Sequence, residues 1–239
     1  MTLPVFYARP EFLGSTLPVP PAPASWDAAG SPGQVRSAAF AADVLAAIAP
    51  KVRVTPDPLA LRVDIGLPDN VPLLALNDLD NYLFPLVPKL TKDTGRQFAS
   101  VWATKRHAAT SSVAVCQTHT VQDPGGVYSL QVRTTASSST TAYKRQIRDQ
   151  ITAAQPLPEG SIALQLAFAV GPRRAWPNLW KATIDSLGSI LGRDVGTREW
   201  DARDGRITDL GLHCVTDPAA GNQVTIAIRA CPVGKLAAH

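Results

Sequence analysis

The apolar positions along the chain change period several times, and each change marks an element. VRSAAFAADVLAAIA (35–49) is Ala-rich with apolar residues at helical spacing and predicts a helix. LALRVDIGL (59–67) reads as a strand. NDLDNYLFPLVPKL (77–90) starts as a helix on an Asp cap, with Pro85 and Pro88 expected to cut it short. SSVAVCQTH (111–119) and GVYSLQVRT (126–134) alternate and are β-branched, and they predict a strand pair closed by DPGG. The second half repeats this order. It has a helix over 140–154, a strand over 161–170 and a helix over 177–191 with Pro in its first turn. Two further strands, RITDLGLHCV and NQVTIAIRA, are joined by TDPAAG. Residues 1–34, rich in Pro, Gly and Ala, predict an extended arm outside the core.

The repeated order comes with repeated offsets. Asn81 and Asn178 are 97 apart (178 − 81), Trp102 and Trp200 are 98 apart (200 − 102), and Cys116 and Cys214 are 98 apart (214 − 116). The expectation is an α+β chain of two tandem units, 35–136 and 137–239, behind the Pro-rich arm. The units should pack as a pseudo-dimer, with Asn81 over Asn178 and Trp102 over Trp200.

Composition changes this picture little. At 239 residues, 45% hydrophobic and 18% charged, the chain is an ordinary globular one. No apolar run reaches the roughly 18 residues of a membrane helix, and residues 1–14 lack the pattern of a secretory signal. The expected location is therefore the cytoplasm. Cys116, Cys214 and Cys231, and the scattered histidines, show no zinc-ligand spacing and read as buried or isolated residues. The net charge of +4 is compatible with nucleic acid without requiring it. Basic residues gather at Lys105–Arg106, at Lys144–Arg145 with Arg148, and at Arg173–Arg174.

Candidate chemistry lies in two places. In the second half, Arg173, Arg174, Asn178, Lys181 and Asp185 are followed by Trp200, Asp204 and Asp209. In this pattern the second half resembles the RusA family of Holliday junction resolvases, over roughly residues 140–230. The family's members are small homodimeric Mg²⁺-dependent endonucleases that cut four-way DNA junctions. Their motif is D-x-D-N-x-x-K-x-x-x-D at a helix start, with an Asp-Asp pair before the next strand. Mg²⁺ takes hard oxygen ligands, and a lysine nearby can hold the phosphate. Asn178, Lys181 and Asp185 match N-x-x-K-x-x-x-D, and Asp204 matches the second acid of the pair, with Arg203 in place of the first. Ala175 and Pro177 stand where D-x-D is required.

The first half is complementary. Asp78-Leu79-Asp80-Asn81 matches D-x-D-N in full, but Phe84 and Pro88 replace the lysine and the following acid. Taking Trp102 as equivalent to Trp200, Lys105 and Arg106 replace the Asp-Asp pair. Outside the resemblance, Asp78 and Asp80 also suit a helix cap, and Lys181 with Asp185 an exposed i, i+4 ion pair worth a few tenths of a kcal/mol.

Three functions are compatible with these residues. The leading one is a RusA-like DNA-binding protein with weakened or lost nuclease activity, in which Arg173, Arg174, Lys105 and Arg106 contact branched or duplex DNA. The second is an active Mg²⁺ endonuclease whose composite site takes Asp78 and Asp80 from one half and Asp204 from the other, with Lys181 beside them. The third is a protein-interaction or structural module on the same fold, with a protein partner met through the Pro-rich arm. The separation of Asp78 and Asp80 from Asp204 decides between the first two.

Overall fold

The computed structural model describes residues 2–11, 14–24, 28 and 30–233, so parts of the predicted arm and the chain end with His239 lie outside the described residues. The chain is α+β, with a single eight-stranded sheet at its centre. The strands are β1 (Phe6–Tyr7), β2 (Ser15–Leu17), β3 (Leu59–Leu67), β4 (Phe98–His107), β5 (Ser111–Gln117), β6 (Thr120–Val121), β7 (Tyr128–Thr134), β8 (Ile162–Val170), β9 (Ile207–Thr216) and β10 (Val224–Pro232). The helices are α1 (Pro32–Val54), α2 (Leu79–Thr94), α3 (Thr141–Arg148), α4 (Trp180–Asp185) and α5 (Gly188–Leu191), with a 3-10 turn over Trp176–Leu179 and another over Asp204–Arg206.

The large sheet runs β2-β5-β3-β4-β9-β8-β10-β7. In the first half β3 is parallel to β4 and antiparallel to β5, and in the second β8 is parallel to β9 and antiparallel to β10. The β3–β4 ladder slips once, between Leu59 and Ala60, and the β8–β9 ladder slips at the matching place, between Ile162 and Ala163. The halves meet through β4 and β9, which are antiparallel. Ser100 pairs with His213, Trp102 with Gly211 and Thr104 with Asp209, so an approximate twofold axis passes through the Trp102–Gly211 pair. A Cβ on Gly211 would fall 2.8 Å from the Trp102 ring. One large residue therefore fills the axis and its opposite must be small, an asymmetry that a single chain allows and two identical chains do not.

Period-2 alternation assigns the two faces of the sheet. Ile162, Leu164, Leu166, Phe168 and Val170 join the core beneath the helices, together with Leu61, Val63, Tyr82 and Trp180. Ala167 and Ala227 point the other way and meet Phe6. The N-terminal segment thus crosses the open face and is not a free arm. Phe6 and Leu17 are buried, and β1 and β2 pair with β6 and β5. His213 fastens the segment. Its Nδ1 accepts from the Tyr7 amide at 3.2 Å, and its Nε2 lies 3.1 Å from Gln165 Oε1. Burial pushes its pKa down to about 3. A base depressed in the fold contributes stability above its unfolded pKa of about 6.5 and loses it as pH falls toward the folded value. Unfolding free energies from denaturant titrations between pH 7 and pH 4 should therefore drop by up to about 1.4 kcal/mol per pH unit from this group. His213→Gln should show a shallower acid limb, and an unchanged slope would refute the assignment.

Several sequence expectations need correction. α2 runs through both prolines to Thr94. A proline at 85 removes the donor for the carbonyl of residue 81, and here the Asn81 carbonyl accepts instead from the Ala24 amide at 2.7 Å. The expected helix over 177–191 is broken into a 3-10 turn and two short helices, α4 and α5. β5 and β7 do not pair. β5 lies between β2 and β3, while β7 pairs with β10 at the opposite edge. β7 therefore lies at the sheet edge beside β10, among the strands of the second half. The offset of 98 also fails. Trp102 lies inside β4, whereas Trp200 precedes the turn before β9. Cys116 pairs with Ala60 as Cys231 pairs with Ala163, so its counterpart is Cys231 and not Cys214.

Candidate metal centre

The loop after β3 and the turn before β9 meet at one end of the sheet. The loop reaches α2 through Leu76 and Asn77, both in the left-handed region at φ 63° and 53°. Leu76 is an uncommon residue there, a conformation held only where surroundings enforce it. The enforcing group is Lys105 on β4. Its ammonium donates to the carbonyls of Leu76 (3.2 Å), Asn77 (3.1 Å) and Gly205 (2.7 Å). Lys105 thus ties the first half's loop to the second half's turn. Burial lowers its pKa to about 8, against the opposing pull of Asp78, Asp204 and Asp80. Tyr82 adds a second tie, donating to Asn77 Oδ1 at 2.9 Å.

This crossing brings Asp78, Asp80 and Asp204 together, with one carboxylate oxygen from each lying within 4.8 Å of the others. Asp78 caps α2 and accepts from the Asn81 side chain at 3.0 Å. Asp80, in the first turn, is 2% exposed, and its Oδ2 accepts no hydrogen bond. Asp204 opens the 3-10 turn before β9. Lys181 on α4 stands among them, 3.5 Å from Asp80, 3.3 Å from Asp204 and 3.4 Å from Asp185. Asp185 is also held by Lys144 of α3 at 2.5 Å. The Lys181–Asp185 pair is therefore part of a half-buried network and not an isolated surface pair.

The electrostatics show excess negative charge. The Asp204 carboxyl is pushed up to about 7 by burial and then by Asp78, despite Lys181. Asp80 is raised too, by burial first, with Lys181 opposing. Burial disfavours the Lys181 ammonium, but Asp80, Asp185 and Asp204 together raise its pKa. A cluster of carboxylates that holds on to protons is one that a further cation would relieve.

The residue set fits a hard divalent cation. It offers three carboxylates, one of them almost fully buried and met only by Lys181 at 3.5 Å, and no soft ligand among them. Gly205 makes the approach possible. A Cβ there would meet the Leu74 carbonyl at 3.0 Å and the Leu76 amide at 3.1 Å. Gly205→Ala should therefore push the two halves apart by a few tenths of an ångström. Divalent-cation affinity, read by isothermal titration, should fall about tenfold or more with every acid in place. An unchanged affinity would show that the close approach is unnecessary.

The other sequence candidates are placed differently. Lys105 is 3% exposed and its donors are used by carbonyls, so it positions the site and does not reach DNA. Its neighbour Arg106 is exposed. Arg174 donates to the carbonyls of Thr135, Ala136 and Asn222, while Arg173 and Asn178 are exposed. Ala175 and Pro177 lie in a different cavity, away from Asp204. Sequence reading missed Lys144 as a partner of Asp185, and it missed Gly205. Only the 3.6-residue period that turns Lys144 and Tyr143 toward the core side hinted at the first.

No protein-family model and no curated protein matches the chain.

Proposed function

We propose that this chain is a Mg²⁺-dependent endonuclease of the RusA-like kind, a fused pseudo-dimer acting on branched DNA through one composite site. The observation that carries the reading is the closeness of Asp78 and Asp80 to Asp204 across the two halves. Within either half alone the acids number fewer than three. Counted across the halves, the number is three. The shared strand order and the matching ladder slips support duplication of one ancestral unit.

Asp78, Asp80 and Asp204 would hold the metal, which supplies a water of lowered pKa and charge neutralisation at the phosphate. The chain's own residues supply the rest. Lys105 fixes the two backbone segments that carry the acids. Asn81 orients the Asp78 carboxylate. Lys181, about one-third exposed, stands among the acids and reaches solvent, and it is placed to meet a phosphate oxygen. Its tie to Asp185, itself held by Lys144, fixes the direction of approach.

The test is incubation of the purified chain with a synthetic four-way junction in Mg²⁺ and in EDTA, beside isothermal titration with Mg²⁺ alone. Metal-dependent cleavage together with saturable metal binding is the expected result. A chain that neither binds Mg²⁺ at millimolar concentration nor cuts would overturn the reading.

A further inference from the structure

The twofold axis that creates one acidic site creates a second place of the same descent. The first site joins the loop after β3 to the residues before β9. Its mate must join the loop after β8 to the residues before β4. Both segments, residues 171–178 and 95–97, line one cavity of about 1010 Å³. Every acid of the first site is missing there. Matching Asn178 to Asn81 places Ala175 and Pro177 opposite Asp78 and Asp80. Asp204 stands three residues before β9, and three residues before β4 stands Gly95.

Positive charge has replaced the acids. Lys92, Arg96, Arg173 and Arg174 line the cavity. Arg174 is held through its Nη2 by three backbone carbonyls, which do not neutralise its charge, and its Nε is buried without a partner. Arg96 is fixed by the carbonyls of Val52, Arg53 and Thr55. Among the described lining residues the acid is Asp57, which pairs with Arg96. Lys92 and Arg173 are exposed. Two tethered guanidiniums behind two solvent-facing cations make a rigid anion cradle that holds no hard-oxygen ligand set for a metal.

Resting on the nuclease reading, we infer that this cavity binds a phosphodiester of a second DNA strand and leaves it uncut. The chain then nicks one strand per encounter, where two equivalent acidic sites would cut two. The phosphate at the basic cavity sets the register of the strand at the acidic site across the twofold axis.

Two measurements test this. Junction binding is followed in EDTA as a function of salt for the wild type and for Lys92→Ala with Arg173→Ala, and for Lys92→Glu with Arg173→Glu. The alanine pair should flatten the salt slope by about one unit, for the one phosphate no longer neutralised, and the glutamate pair should weaken binding further. Mg²⁺ titration of the same variants should match the wild type, since neither residue lies near the acids. Junction binding by the variants equal to wild type overturns the inference while leaving metal binding and cleavage, and so the nuclease reading, intact. Loss of wild-type junction binding in millimolar inorganic phosphate at constant ionic strength, with the alanine pair insensitive to phosphate, supports the cradle; equal phosphate sensitivity in the alanine pair overturns it. The second measurement is product analysis on a supercoiled plasmid bearing a cruciform. Nicked circles should form first, and direct appearance of linear product in a single turnover overturns the inference.

Discussion

Asp80→Asn and Asp204→Asn should each abolish Mg²⁺-dependent junction cleavage, with rates falling by about 10³-fold or more, a loss of roughly 4 kcal/mol of transition-state stabilisation. The double variant should be little worse than either single one, because ligands of one metal act as a unit. The equality of the two losses is the informative part. The acids come from different halves of the chain, so a site confined to either half predicts that one substitution is silent. Stability should move the other way for Asp204. An acid whose pKa is raised in the fold, here to about 7, binds more protons folded than unfolded. Its stabilising contribution is present below the unfolded pKa and is lost as pH rises through about 7. At pH 8 the wild type therefore carries a penalty that Asn lacks. Asp204→Asn should then be more stable than wild type by about 1–2 kcal/mol at pH 8, the figure reduced by the loss of a partner for Lys181, and should gain nothing near pH 4. A more stable but inactive variant is the mark of a residue kept for function. Residual cleavage above about a tenth of wild type in either variant would remove that acid from the site.

The parts of this architecture that were legible in the sequence are those set by local pattern. β3, β8, β9 and β10 lie where apolar runs predict strands, and α2 begins at Leu79 with Asp78 at the N-cap position that the sequence predicts for it. What the sequence hid depends on distant partners. α2 survives Pro85 because the Ala24 amide, almost 60 residues upstream, takes the freed carbonyl. β5 and β7 look like a hairpin because both alternate around DPGG, yet the edges they fill are at opposite ends of the sheet. The offset of 98 paired Trp102 with Trp200 because tryptophan is rare, but loops of unequal length separate equivalent strands, and the true counterpart of Trp102 is Gly211. That error placed Lys105 where an acid should stand. Its actual position, inside the protein with its ammonium on three carbonyls, has no signature in a Lys-Arg pair. The three acids were all identified as ligand candidates. Their convergence was not readable, because it depends on how β4 and β9 dock.

Lys181→Met should separate metal binding from chemistry. The Lys181 ammonium lies 3.3 to 3.5 Å from Asp80, Asp185 and Asp204, standing where a cation is wanted. A lysine whose pKa is raised in the fold contributes stability that is fully present below its unfolded value of about 10.5, so at pH 7 its removal is felt in full. The side chain is about one-third exposed, which screens the interaction and limits the cost to about 1–2 kcal/mol. The acids left behind repel one another more strongly and no longer hold a resident ammonium that Mg²⁺ must displace, so Mg²⁺ should bind several-fold tighter than in the wild type. The rise in melting temperature on adding saturating Mg²⁺ should be correspondingly larger. Cleavage should nevertheless fall about 10²-fold, because the residue that reaches the phosphate is gone. Lys181→Arg should restore part of the rate while keeping metal affinity near wild type, since the charge returns with a different reach. If Lys181→Met instead binds Mg²⁺ more weakly, the lysine supports the metal site and does not compete with the ion. If cleavage survives the substitution, the phosphate is held by another group.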